Sequence, residues 1–155
     1  MKFKDRDIEQ IDLSDFHHVL PGRVKTFEVD RQNIVHNIIY LYWLEEARVE
    51  YFRALGLTMN ERTFIDHHRF VIAKTEVNYI SPALFDSCYE VLTRIPSIGN
   101  SSFVFDQVII SIPDRRVLLT AQSVLVNLDP ITNASMPIDK EYRRLVSRFE
   151  HTDFQ

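Results

Sequence analysis

The amino-acid sequence predicts an α+β fold, in which one long helix packs against an antiparallel sheet. Two observations lead to this prediction. Residues 37–55 have helical periodicity, and the second half of the chain contains segments of strand character separated by tight turns. With 155 residues, 45% of them hydrophobic and 26% charged, the chain has the length and composition of one globular domain. We expect a single domain over residues 1–155, with an N-terminal extension (1–22) and a C-terminal tail (137–155).

The first half of the chain is predicted to form a short strand followed by the long helix. Pro21-Gly22 is a turn signal, and residues 24–29 after it have strand character. Gly56 lies where a left-handed residue would end the helix. The apolar residues of the helix fall on one wide arc of the helical wheel, which a sheet curling around the helix would cover. They are Tyr40, Leu41, Trp43, Leu44, Ala47, Tyr51, Phe52, Ala54 and Leu55.

The second half of the chain is predicted to form four strands, at residues 70–79, 88–95, 102–112 and 117–128. Turn residues at 97–100 and 113–116 separate the last three. Strands joined by tight turns are typical of an antiparallel meander. Residues 137–149 have the character of a short terminal helix, with Asp139 near its start.

Composition and charge exclude several classes of protein. A formal net charge of −4 argues against a dedicated nucleic-acid binder. The single cysteine, Cys88, excludes an internal disulfide and fits a reducing compartment. The charged first residues are not a signal peptide, and no apolar run is long enough for a membrane span, so we expect a cytoplasmic protein. The adjacent histidine pairs, at 17–18 and 67–68, lack metal-ligand spacing, so we predict no metal and no cofactor.

Several motifs carry a resemblance to a known family by their order along the chain. They are Asp30, Ile34-Val35, Asn37, Tyr40, Glu45-Glu46-Ala47-Arg48, Leu55-Gly56, and the segments 98–103 and 136–138. In this order they resemble the hotdog-fold acyl-CoA thioesterases of the 4-hydroxybenzoyl-CoA thioesterase-like family, over residues 20–148. The resemblance implies an antiparallel sheet wrapped around the central helix. It also implies a homo-oligomer, a dimer or a dimer of dimers, with active sites at the subunit interface. The implied substrate is an acyl-CoA, which water hydrolyses to a free acid and CoA.

Two catalytic groups follow from the resemblance. Asp30 matches the family's catalytic carboxylate, which acts as a nucleophile or as a general base on water. The backbone N–H of Asn37 matches the group that polarises the thioester carbonyl, at a helix start that favours negative charge. From the residues alone, Asp30 could instead be a loop acid that accepts backbone hydrogen bonds, and the Asn37 side chain could be a helix cap.

The resemblance also places a set of residues near the substrate: Asn33, Ile34, Val35, His36, Tyr40, Ser101 and Ser102. Many relatives have glycine at the position of Asn33, and Asn is the other residue that best tolerates a positive φ. Some relatives have a histidine at the position of Asn37, whereas this chain has it one residue earlier, at His36. Alternatively, Tyr40 belongs to the core, and the two serines belong to an ordinary hairpin turn.

Two other functions remain open on the sequence alone. One is a hotdog hydratase or dehydratase acting on acyl thioesters, in which His36 would work with Glu45 or Glu46. The other is a module that binds acyl thioesters without turnover. We interpret Glu45 and Arg48, three residues apart, as a structural pair. A second apolar stripe on the helix, Ile38, Tyr42 and Val49, could contact a partner subunit or the substrate.

Overall fold

The part of the chain that the structure describes contains five strands and two α-helices. The structure is a computed structural model, and it describes residues 11–67 and 69–155. No helix within these ranges is both long and apolar enough to cross a membrane. The elements are β1 (His18–Arg23), α1 (Asn37–Ala54), β2 (Phe70–Tyr79), β3 (Cys88–Ile98), β4 (Ser102–Ile112), β5 (Val117–Asn127) and α2 (Lys140–Glu150).

The strands form one antiparallel sheet in the order β1-β3-β4-β5-β2. The α+β prediction is confirmed, and β3, β4 and β5 form a meander as expected. Strand β2 is not part of this meander: it pairs with β5, with Tyr79 opposite Leu119, instead of with β3. The alternation of apolar and polar residues predicts where a strand lies along the chain, but it contains no information about which other strand will pair with it. The chain crosses from one edge of the sheet toward the other between β2 and β3.

The predicted strand at residues 24–29 is also wrong. The strand lies earlier, at His18–Arg23, and it includes Pro21-Gly22. Proline is tolerated because β1 is an edge strand, paired with β3 alone. Gly22 allows the ring of Tyr89 to lie against the backbone, since a Cβ at this position would be 2.3 Å from that ring. Part of the predicted N-terminal extension is therefore a strand, and residues 1–10 lie outside the described part of the chain.

Helix α1 packs against one face of the sheet, as the hotdog prediction requires. Its buried face includes Trp43, which stacks on Tyr89 of β3 with ring centroids 3.9 Å apart. Gly56 follows the helix with φ +92°, which confirms the predicted end. Two residues of the predicted apolar arc, Leu41 and Ala54, are exposed, and Arg48 is buried instead. The charged side chain of Arg48 can be buried because its guanidinium pairs with Glu45 and donates a 3.0 Å hydrogen bond to Gln107.

The C-terminal helix α2 is capped by Asp139, which accepts a 2.7 Å hydrogen bond from the Tyr142 N–H. This confirms the predicted helix start. Near the other end of α2, the buried Glu150 carboxylate accepts from the Tyr51 hydroxyl (2.5 Å) and the Ile95 N–H (2.8 Å). Glu150 therefore joins α2 to α1 and to β3. Burial raises the pKa of Glu150, although these two hydrogen bonds oppose the change.

This raised pKa predicts a pH dependence of stability. A carboxyl group whose pKa is higher when folded stabilises the protein below its unfolded pKa, near 4.5, and loses that contribution as pH rises through the folded pKa. Glu150→Gln keeps an acceptor oxygen but removes the ionisation. We expect the urea midpoint of the wild type to fall relative to the variant as pH rises from 4.5 to 8. The exposed Glu61→Gln serves as the control, and parallel midpoints for wild type and Glu150→Gln would contradict the assignment.

Candidate active site

Asp30 lies in a tight loop between β1 and α1. The loop turns back on itself because the Asp30 N–H donates to the Ile34 oxygen (2.9 Å) and the Asn33 N–H donates to the Asp30 oxygen (3.0 Å). Asn33 has φ +61°, which confirms the expectation that it replaces glycine in a left-handed conformation. One carboxylate oxygen of Asp30 accepts from the Gln32 N–H (2.7 Å). No described residue donates to the other oxygen, and the side chain is only partly buried.

The loop leads directly into the start of α1. The N-terminal cap is His36, whose side chain makes no capping hydrogen bond, and Asn37 is the first helical residue. The alternative that the Asn37 side chain caps the helix is therefore wrong. The His36 N–H donates to the Glu28 oxygen and the Ile39 N–H to the His36 oxygen, both at 3.0 Å. Between them, the N–H groups of Asn37 and Ile38 have no acceptor among the described residues, so the positive end of the helix is open.

Glu28 fixes this arrangement, and the sequence analysis missed it. Its carboxylate is buried and accepts from the Trp43 indole N–H (3.1 Å) and the Lys25 N–H (2.8 Å). Its backbone oxygen accepts the His36 N–H described above. One residue thus fastens the Asp30 loop to the middle of α1 and also to its first turn. The only available signal in the sequence was indirect, since a buried tryptophan N–H requires an acceptor.

A cleft of about 460 Å³ opens between the loop, the start of α1 and the end of β2. Such a volume is within the range of small-molecule sites. The Tyr40 ring is buried in the core and its hydroxyl accepts from the Ala83 N–H (3.0 Å), so this residue belongs to the core and also lines the cleft. Burial raises the pKa of Tyr40. The opposite wall includes Tyr79, whose hydroxyl donates to the Asn37 oxygen (2.9 Å), and Pro82.

The structure brings most of the predicted site residues together. Those that line this cleft are Asp30, Ile34, Val35, His36, Asn37 and Tyr40, and Asn33 lies in the adjoining loop.

Ser101 and Ser102 lie elsewhere in the protomer. Tyr79 is opposite Leu119 on β5, whereas Ser102 is opposite Val126, seven residues further along. At about 3.3 Å per residue, the two positions are about 23 Å apart. Within one protomer these serines belong to the β3–β4 turn, where the Gly99 N–H donates to the Ser102 oxygen (2.7 Å).

The groups that a hydratase would use are not assembled in the protomer. His36 precedes the first residue of α1, and Glu45 and Glu46 lie nine and ten residues further along the chain, about 14 and 15 Å along the helix axis. The Glu45 carboxylate is also paired with Arg48. Within residues 11–67 and 69–155, no three His, Cys, Asp or Glu side chains are placed to hold a metal ion. His68, of the second histidine pair, lies outside these ranges.

Comparison with known proteins identifies the family. Residues 24–146 match the profile of the thioesterase-like superfamily. The chain is 30% identical to acyl-CoA thioester hydrolase YbgC of Escherichia coli O6:H1 over 111 residues, covering 72% of this chain and 81% of YbgC. It is 25% identical to the chloroplastic acyl-acyl carrier protein thioesterase ATL3 of Arabidopsis thaliana over 117 residues, covering 76% of this chain but only 60% of ATL3.

The fold is likewise that of solved thioesterases. A thioesterase from Thermus thermophilus, crystallised with coenzyme A and Zn, superposes with a TM-score of 0.76 at 23% identity, covering 88% of this chain and 96% of that one. The predicted hotdog fold and thioester hydrolase family are therefore confirmed. The chain belongs to the thioesterase-like superfamily.

Proposed function

We propose that the protein hydrolyses an acyl-CoA to a free acid and CoA, with Asp30 and the start of α1 as the catalytic groups. One observation carries the proposal: Asp30, one of whose carboxylate oxygens has no donor among the described residues, shares a cleft with helix N–H groups that likewise have no acceptor there. The name of YbgC, acyl-CoA thioester hydrolase, and the coenzyme A in the Thermus structure support this substrate class. The lone Cys88 supports a reducing, cytoplasmic location.

The helix start would stabilise the charge that develops on the thioester oxygen. As the carbonyl carbon becomes tetrahedral, its oxygen gains negative charge, and the Asn37 N–H would donate to it. The helix dipole acts in the same direction, because its positive end faces the cleft. A donor of this kind contributes about 100- to 1000-fold to the rate in other enzymes. The group is part of the main chain, so it does not depend on the Asn37 side chain.

Asp30 would supply the attacking oxygen in one of two ways. As a nucleophile, its free oxygen bonds to the carbonyl carbon and the CoA thiolate leaves, and water then cleaves the mixed anhydride and restores the carboxylate. As a general base, Asp30 accepts a proton from water while that water adds to the carbon. The proton then passes to the leaving thiolate. In both routes the products are the acid and CoA, and no cofactor is required.

We further propose that the protein is a homodimer that pairs through β2, with dimers assembling into tetramers as the family resemblance implies. The outer edge of β2 has no partner among the described strands, and Ile72 is 48% exposed on it. On α1, Ile38 and Tyr42 of the second apolar stripe are exposed as well. Exposed apolar strand edges favour pairing with another chain.

Such a dimer would give Ser101 and Ser102 a place in the site. Antiparallel pairing across β2 places the Phe70 end of one sheet beside the Tyr79 end of the other. Ser102 lies at the Phe70 end of its own sheet, because both pair with the end of β5. Ser101 and Ser102 of the partner subunit would therefore lie at the end of the sheet that carries Asp30.

We predict that Asp30→Asn lowers kcat by about 100- to 10,000-fold, the range of a catalytic acid or base. The amide has nearly the same shape and retains an acceptor for the Gln32 N–H, but it neither attacks a thioester nor removes a proton. Release of free thiol from a panel of aliphatic and aromatic acyl-CoAs is the measurement. The panel also identifies the acyl class.

The matched control is Asp153→Asn, a surface carboxylate near the C-terminus whose replacement is expected to leave turnover unchanged. Equal thiol release by wild type and Asp30→Asn would contradict the role of Asp30 but not the reaction. A wild type that binds acyl-CoA and releases no thiol from any substrate would contradict the hydrolase, and would favour the binding module. A change in enoyl absorbance without thiol release would favour the hydratase.

We predict that Ile72→Arg breaks the pairing through β2 and lowers the mass of the assembly. Ile72 is exposed in the protomer, so the substitution has little effect on the fold, whereas it would bury an unpaired charge in the proposed interface. Sedimentation velocity measures the mass, and thiol release is expected to fall with the dimer fraction. The control is Val19→Arg on β1, at the opposite edge of the sheet from β2, where Val19 is 43% exposed. A wild type that sediments as a monomer would contradict this interface.

A further inference from the structure

The hydroxyl of Tyr79 lies at the start of α1, and the mechanism above gives it no role. Tyr79 is the last residue of β2, and its hydroxyl donates a 2.9 Å hydrogen bond to the carbonyl oxygen of Asn37. Its ring packs edge-on against that of Tyr40, with centroids 5.8 Å apart and an interplanar angle of 74°. Tyr40 is itself buried and held by the Ala83 N–H. Although Tyr79 is 52% exposed, its hydroxyl therefore has a defined position.

The carbonyl that Tyr79 contacts belongs to the same peptide unit as the Ile38 N–H. As the first carbonyl of the helix, it also accepts from an N–H one turn further along. Two donors on one carbonyl polarise the peptide unit and make its N–H a stronger donor, since hydrogen bonds in a chain strengthen one another. The Ile38 N–H has no acceptor among the described residues, and it points in the same general direction as the Asn37 N–H.

We propose that Tyr79 is a positioning residue for thioester hydrolysis. It holds and polarises the Asn37–Ile38 peptide unit, so that the Ile38 N–H becomes a second donor to the thioester oxygen beside the Asn37 N–H. This role rests on the proposed thioesterase activity. The second donor acts mainly on the transition state, because the thioester oxygen carries negative charge there. The ground-state complex, in which the oxygen is nearly neutral, gains much less from a stronger donor.

The test compares Tyr79→Phe with wild type, using the acyl-CoA that wild type hydrolyses fastest. Phenylalanine keeps the ring contact with Tyr40 and removes only the hydroxyl. We expect kcat to fall about 3- to 10-fold, the scale of one neutral hydrogen bond, and KM to stay within about twofold. The matched control is Thr152→Val near the C-terminus, which likewise removes a hydroxyl that donates to a backbone carbonyl, that of Glu150 (3.2 Å), at a residue that does not line the cleft. Its kinetic constants are expected to be those of wild type.

A second measurement is independent of turnover. The amide nitrogen of Ile38 is expected to shift in the NMR spectrum of Tyr79→Phe, because its peptide carbonyl loses a donor, and to stay in place in Thr152→Val. An unchanged kcat in Tyr79→Phe would overturn the proposal, and so would a raised KM at constant kcat, which would indicate a substrate contact. In both cases wild-type hydrolysis would leave the proposed function intact. A wild type that releases no thiol would instead overturn the proposed function, and this role with it.

Discussion

The buried carboxylate of Glu28 is the interaction on which the geometry of the cleft depends. It accepts the indole N–H of Trp43 in the middle of α1, and Trp43 in turn stacks on Tyr89 of the sheet. The loop that carries Asp30 is thereby tied to the helix, and the helix to the sheet. A buried N–H left without its acceptor costs about 1–3 kcal/mol, so the chain strongly favours this one arrangement. Burial, with the nearby charge of Glu28 adding to it, also raises the pKa of Tyr89.

The position of the loop matters because the two proposed catalytic groups come from different kinds of structure. Asp30 contributes a side chain, and α1 contributes main-chain N–H groups whose direction is fixed by the helix itself. Their relative position depends on the few residues between them. The His36 N–H donates to the backbone oxygen of Glu28, and this hydrogen bond joins the two ends of the segment that contains Asp30. Preorganised donors stabilise a developing charge without reorganising during the reaction. The site therefore relies on packing and backbone geometry more than on the chemistry of many side chains.

Local sequence patterns predicted most elements of the fold. The bounds of β2 and β4 were predicted to the residue, because alternation and turn residues are local properties. The place of β2 in the sheet was not predictable in this way, since pairing depends on where α1 directs the chain. β1 was missed because Pro21-Gly22 reads as a turn. It forms a strand only because the edge of the sheet and the ring of Tyr89 accommodate it.

The same distinction applies to the candidate site. Asp30 and Asn37 were predicted because they belong to a motif of fixed order, and such a motif can be recognised in the sequence without knowledge of the fold. Glu28 and Tyr79 were missed because each acts through a partner that is distant in sequence, Trp43 for one and the Asn37 carbonyl for the other. No local sequence pattern indicates that such residues will form a pair. Residues of this kind become visible only when the tertiary structure brings the partners within hydrogen-bond distance.

The distribution of polar and apolar groups around the cleft indicates that one protomer alone lacks an apolar enclosure for an acyl chain. The loop and the helix start supply an acid and hydrogen-bond donors, yet Ile38 and Tyr42 beside them are exposed, and so is the edge of β2. An acyl chain requires an apolar enclosure, because a pocket that leaves it in water gains little from the hydrophobic effect. In the proposed dimer, a second copy lying against this surface would cover the apolar residues and complete that enclosure. Catalytic groups and acyl specificity would then come from opposite sides of one interface, so substitutions that alter acyl preference should map to residues outside the Asp30 loop.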